Sequence, residues 1–167
     1  MGKTKATLDT NILISALGWK GKPKQVFAKV LKGEVELVIS DKQFDELERV
    51  LDYPKFRFTG EQKKKFKTLV LSAATLVKPE EKINVIKEDP DDNMVLECGV
   101  AGEVDYIVTG DTDLLKLKEF RGIKVRTAKE FLKEVKKDKT RKLFQKFLNR
   151  PRVDFGKNFL DEIDTTM

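Results

Sequence analysis

The chain has 167 residues, of which 37% are charged and 40% hydrophobic, and a formal net charge of +6; this is enough for one domain with a proper core and too little for two ordinary ones. It holds no histidine and a single cysteine, which excludes histidine-dependent triads, the usual histidine-containing zinc sites and any intrachain disulfide, and leaves oxygen chemistry. The positive excess points to an anionic partner, nucleic acid first, while the lack of a membrane-length apolar run and of a secretory leader reads as a cytoplasmic protein with no membrane partner.

In chain order, Ala6-Thr7-Leu8 reads as a strand that stops at Asp9-Thr10-Asn11, and a helix begins over Asn11 to Leu17. A loop from Gly18 to Pro23 leads to a second helix, with Val26, Phe27, Val30 and Leu31 at helical spacing and Gly33 as its stop. Glu34 to Ile39 alternates as a strand. Ser40 to Gln43 matches a capping box, and Phe44, Leu47 and Leu51 mark the buried stripe of the third helix, with Glu46 on an adjacent face. After Tyr53-Pro54, a second capping box at Thr59 to Gln62 opens a helix whose pattern runs through Phe66, Leu69, Val70, Ala73 and Val77 and is closed by Pro79.

Ile83 to Ile86 suits an edge strand or an extended connection. Met94 to Ala101 predicts a helix, with Cys98 packed inside it. Val104 to Thr109 has the β-branched and aromatic character of a buried central strand, ended by Gly110. Leu114 to Leu117 reads as a helical turn, Ile123 to Val125 as a short strand, and Thr127 to Glu130 as a third capping box leading to a helix with Phe131, Leu132 and Val135 on its apolar side. Strands alternating with helices predict an α/β three-layer sandwich, a central parallel sheet covered by helices on both faces. The domain is placed at residues 1–135. Residues 136–167 form a basic helix and tail, in which Leu143, Phe144, Phe147 and Leu148 recur among basic residues. That segment suits an RNA-binding arm, a docked helix or a dimer contact equally.

Aspartates collect at the junctions. Asp9 ends the first strand, Asp111 and Asp113 follow the central one, and Asp89-Pro90-Asp91-Asp92-Asn93 directly precedes a helix. Any one of them suits a helix N-cap. Several together at strand ends, where an open α/β sheet gathers its functional groups, suit a shared site. Lys63 and Lys64, on the helix after Thr59, are candidate phosphate contacts, as are Lys142 and Arg150 in the basic segment, although lysine runs more often form solvated faces.

Asp9-Thr10-Asn11, Glu46 to Leu51, Asp89 to Asn93 and Thr109 to Leu114, taken in that order, resemble the PIN-domain family, and specifically its prokaryotic toxin-like branch. The resemblance runs from Thr4 to Leu132; Gly99, where a small alanine is common, and the long C-terminal extension depart from it. It implies a metal-dependent endoribonuclease acting on single-stranded RNA, with an antitoxin as a partner; a homodimer is the partner that the dimer-contact reading of the basic segment would supply. Its catalytic acids would be Asp9, Glu46, Asp92 and Asp111, with Glu48 the alternative to Glu46. Asp9, Asp92, Asp111 and Asp113 would hold the metal, and Thr10, Asn11, Asn93 and Thr109 would orient them. Clustered carboxylates need a cation to coexist, and hard oxygen donors suit Mg²⁺ or Mn²⁺. With no histidine to act as base, an acidified water would be the nucleophile.

Two other readings share some of these features. A haloacid-dehalogenase-like phosphohydrolase also places an aspartate after its first strand, but wants a second acid where this chain has Asn11. A non-catalytic module that binds RNA or a protein partner would use the acidic set structurally.

Overall fold

The computed structural model describes residues 2–136. The 136–167 segment expected as a basic helix and tail, Lys142 and Arg150 included, therefore lies outside the described residues apart from Lys136, the last residue of the final helix.

Six strands form one sheet in the order β3-β2-β1-β4-β6-β5. They are β1 (Thr4–Leu8), β2 (Val35–Ser40), β3 (Ala74–Val77), β4 (Tyr106–Val108), β5 (Glu119–Phe120) and β6 (Ile123–Arg126). Every pairing is parallel except the β5–β6 hairpin. The helices are α1 (Thr10–Gly18), α2 (Lys22–Leu31), α3 (Asp41–Leu51), α4 (Gly60–Ala73), α5 (Asn93–Gly102), α6 (Thr112–Leu115) and α7 (Ala128–Lys136).

The strands explain the layers, because successive side chains leave opposite faces. Ala6 and Leu8 of β1, Leu37 and Ile39 of β2 and Val108 of β4 enter one core with Leu13, Phe27, Leu47, Leu69 and Phe131, which come from α1, α2, α3, α4 and α7. The intervening Val38 and Ile107 enter the other core with Leu96 and Cys98 of α5, Leu114 of α6 and Val125 of β6. The result is the predicted α/β sandwich. Cys98 is buried beside the Thr7 hydroxyl at 3.5 Å, and burial pushes its thiol up to about 11, so it packs and does not react.

All three expected capping boxes form. Ser40 and Gln43, Thr59 and Gln62, and Thr127 and Glu130 exchange the reciprocal side-chain and backbone bonds that start α3, α4 and α7. Tyr53, Phe56 and Phe58 stack across the α3–α4 connection, and edge-on contacts of Phe58 with Phe66 and of Phe56 with Trp19 tie it to α4 and to the end of α1.

One element departs from expectation. The helix predicted to run on to Val77 ends at Ala73, and Ala74–Val77 pairs as edge strand β3 with β2, with no intervening loop. Ile83 to Ile86 is the extended connection and not a strand; Ile83 and Ile86 are buried. The two-residue strand β5 carries no periodic signal of its own.

Candidate metal and active site

The strand order reverses between β1 and β4, which are adjacent although a whole βααβ unit and more separates them in the chain. Such a switch point opens a crevice beyond the carboxyl ends of the strands. Asp9 leaves β1 there, and its backbone N–H donates to the Val108 carbonyl of β4 at 3.0 Å. Asp111 leaves β4 three residues beyond Val108, and Asp113 follows in the first turn of α6.

Asp9 stands at the N-cap position of α1 but makes no capping bond with its side chain. Its Oδ2 instead accepts a 2.7 Å hydrogen bond from the Thr109 hydroxyl. That hydroxyl also accepts from the Asp111 N–H at 3.0 Å, so one buried threonine fixes both strand-end aspartates. Burial raises the Asp9 carboxyl above its ordinary value; the Thr109 bond opposes this, and the Glu46 and Asp111 charges add to it. Asp111 does cap α6, accepting from the Asp113 N–H at 2.7 Å through Oδ1.

Asp92 arrives from the other side. Asp89 caps the short turn Pro90–Asp92 by accepting from the Asp91 N–H, and α5 follows at once. One oxygen of each of Asp92, Asp111 and Asp113 lies within 4.8 Å of the others. Burial, then the charges of Asp111 and Asp89, push the Asp92 carboxyl up to about 7. Its Oδ2 is buried with no donor. Asp92 and Asp111 are both acceptors when ionised, so they tolerate each other only through a shared proton or a cation. A buried acceptor without a donor, amid half-buried oxygen ligands, fits a hard divalent cation.

Asp9 is coupled to Asp92 and Asp111 by charge but lies outside the trio within 4.8 Å. Glu46 accepts from the Thr10 hydroxyl and pairs with Arg49 at 3.7 Å, one turn along α3. Glu48 turns away to Lys67 of α4 at 3.7 Å. The structure therefore brings Glu46, not Glu48, to the residue next to Asp9.

Asn93 spends its whole amide on backbone: Oδ1 accepts from the Val85 and Ile86 N–H groups, and Nδ2 donates to the Ile86 and Pro90 carbonyls. It reaches the site only by fixing the connection that presents Asp92. Asn11 is exposed on α1. Lys63 is held by Asp52 at 2.9 Å, and Lys64 is exposed. Sequence reasoning missed Arg49, whose only signal was its i,i+3 spacing from Glu46.

Among the described residues, no helix is long and apolar enough to cross a membrane. A family model described as PIN domain matches residues 5–113, a span that begins in β1 and ends at Asp113. No curated protein shows significant similarity to the chain.

Proposed function

Because the chain belongs to the PIN-domain family, we propose that it is a Mg²⁺- or Mn²⁺-dependent endoribonuclease that hydrolyses phosphodiester bonds of single-stranded RNA. PIN domains are generally nucleases that use divalent metal ions, and the acidic cluster could bind one. The observation that carries the proposal is the convergence of Asp92, Asp111 and Asp113, one oxygen of each within 4.8 Å of the others, with Asp9 coupled by charge to Asp92 and Asp111.

In this reading Asp92, Asp111 and Asp113 hold the cation and Asp9 completes its surroundings. A divalent ion bound there would neutralise charge building on the phosphate and make a water acidic enough to attack at neutral pH. Thr109 keeps the Asp9 Oδ2 and the Asp111 backbone in fixed relation. Thr10 and Arg49 hold the Glu46 carboxylate at the rim, where it can orient water or accept a proton. Asp92, its carboxyl pushed up to about 7, is about half protonated at neutral pH in the metal-free protein and would give up that proton on holding a cation. The preference for single strands and the role of toxin in a toxin–antitoxin pair rest on the four sequence motifs.

The test is incubation of the purified chain with mixed-sequence single-stranded RNA in Mn²⁺, in Mg²⁺ and in EDTA. Cleavage should require metal and fall by at least about a hundredfold in Asp9→Asn and Asp111→Asn, in line with the loss of a strong electrostatic contact. Undiminished cleavage in EDTA, or in both variants, would show that the carboxylates are not the cutting site. The toxin reading expects expression of the chain to arrest growth and Asp9→Asn to relieve the arrest.

A further inference from the structure

Away from the carboxylates, α2 and α7 enclose a groove of about 380 Å³ lined by Lys22, Lys29, Lys32, Lys129 and Lys133. Lys29 is paired with Glu34 at 3.4 Å. Among the described residues, the other four make no ion pair. Four uncompensated ammonium groups facing one concavity repel one another and concentrate anions there. We propose that this groove is an exosite for the phosphodiester backbone of the single-stranded RNA cut at the carboxylates, an inference that rests on the nuclease reading above.

Three features favour a linear polyanion. The lysines form two rows and not a ring. Lys22 and Lys29 of α2 and Lys32, its C-cap, follow one stripe over about 15 Å at 1.5 Å per residue, while Lys129 and Lys133 follow a stripe of α7. The floor between them is only Ala28, Gln25 and Leu132, too little apolar surface for a protein anchor. The groove also begins at the right edge of the sheet. β6 ends at Arg126, which is paired with Val108 of β4 and accepts from the Thr109 N–H at 2.9 Å, and α7 starts two residues later. α7 therefore starts at the same end of the sheet as Asp111, one strand over, with Lys129 in its first turn and Lys133 one turn farther on.

The test uses the full chain in EDTA, so that binding is read without cleavage, and a mixed-sequence single-stranded RNA of about 20 nucleotides, a length above a typical binding footprint. Affinity is measured against salt for the wild type and for K22Q/K32Q/K129Q/K133Q. Each phosphate contact to a single strand contributes about 0.7 to the slope of log affinity on log salt. The quadruple variant should lose about 2 to 3 from that slope, and the matching lysine-to-arginine variant should keep it. Should the quadruple variant fail to fold, K129Q/K133Q on its own should lose about 1.4. An unchanged slope in a folded glutamine variant overturns the proposal, and would favour an acidic protein as the occupant. With metal present, the glutamine variant should raise KM for the long RNA and leave a substrate of a few nucleotides unaffected. If the wild type cuts nothing, the nuclease reading fails, while the salt slopes still decide whether the groove binds RNA.

Discussion

At the scale of the residue, Thr109 and Asp92 have the most distinct roles. Thr109→Val keeps shape but removes both the donor to Asp9 and the acceptor for the Asp111 N–H. Losing such an orienting bond typically weakens metal affinity by about 10- to 100-fold, which titration calorimetry with Mn²⁺ can read. Asp92 titrates in the folded chain near 7, against an ordinary value of 3.8. The folded state thus binds more protons than the unfolded one between those values, so the metal-free protein loses stability as pH rises through that window and carries the full penalty above it. Asp92→Asn should stabilise the metal-free protein in EDTA at pH 8 by about 1–2 kcal/mol once the shift is discounted for partial exposure, read as a higher melting temperature, and change little at pH 4. A loss of stability at pH 8 would mark an ordinary structural aspartate. The sequence pointed to these carboxylates because an acid at a strand end is visible there. It left Asp9 divided between cap and ligand, since both uses put an aspartate at the same position; in the structure its Oδ2 accepts from Thr109 and its side chain makes no capping bond to the helix.

At the scale of the element, local signals worked where they were self-contained. Each capping box needs four consecutive residues and nothing else, and all three form. The end of α4 is different. Phe66, Leu69, Val70, Ala73 and Val77 keep helical spacing through the break, and no glycine or proline marks it. What ends the helix is pairing with β2, where Leu37 to Ser40 accept Ala74 to Val77 as a strand. Backbone partners so distant leave no trace in a local window. Glu46 and Glu48 were inseparable for a similar reason, as their difference lies in which neighbour each meets, α1 or α4. Packing also predicts a fragile point in α5. A Cβ on Gly102 would come within 2.5 Å of the Val38 side chain in β2. Gly102→Ala should therefore destabilise the protein by about 1–3 kcal/mol, the usual cost of overpacking, despite alanine's better helix propensity. A denaturant melt equal to or above wild type would mean that Val38 can yield.

At the scale of the whole molecule, the described residues alone, from Ala6 to Val135, supply a core on each face of the sheet. A chain ending at Lys136 is expected to melt cooperatively and bind Mn²⁺ as the full chain does; collapse of the melt would assign part of the core to the C-terminal segment. The parallel sheet has a further effect on when the site comes into being. Asp9 and Thr109 meet across 100 residues of chain, and contacts so remote form late, since the closure entropy must be met first. A growing polypeptide that has not reached Thr109 already carries Asp9, Glu46 and Asp92, yet has nothing to hold Asp9 and no Asp111 to gather a cation beside Asp92. Synthesis itself thus acts as a timer: chains released before Tyr106 should bind no metal and cut nothing. In refolding, Mn²⁺ binding should emerge only with the slowest phase of Trp19 fluorescence, after Asp9 and Thr109 have met.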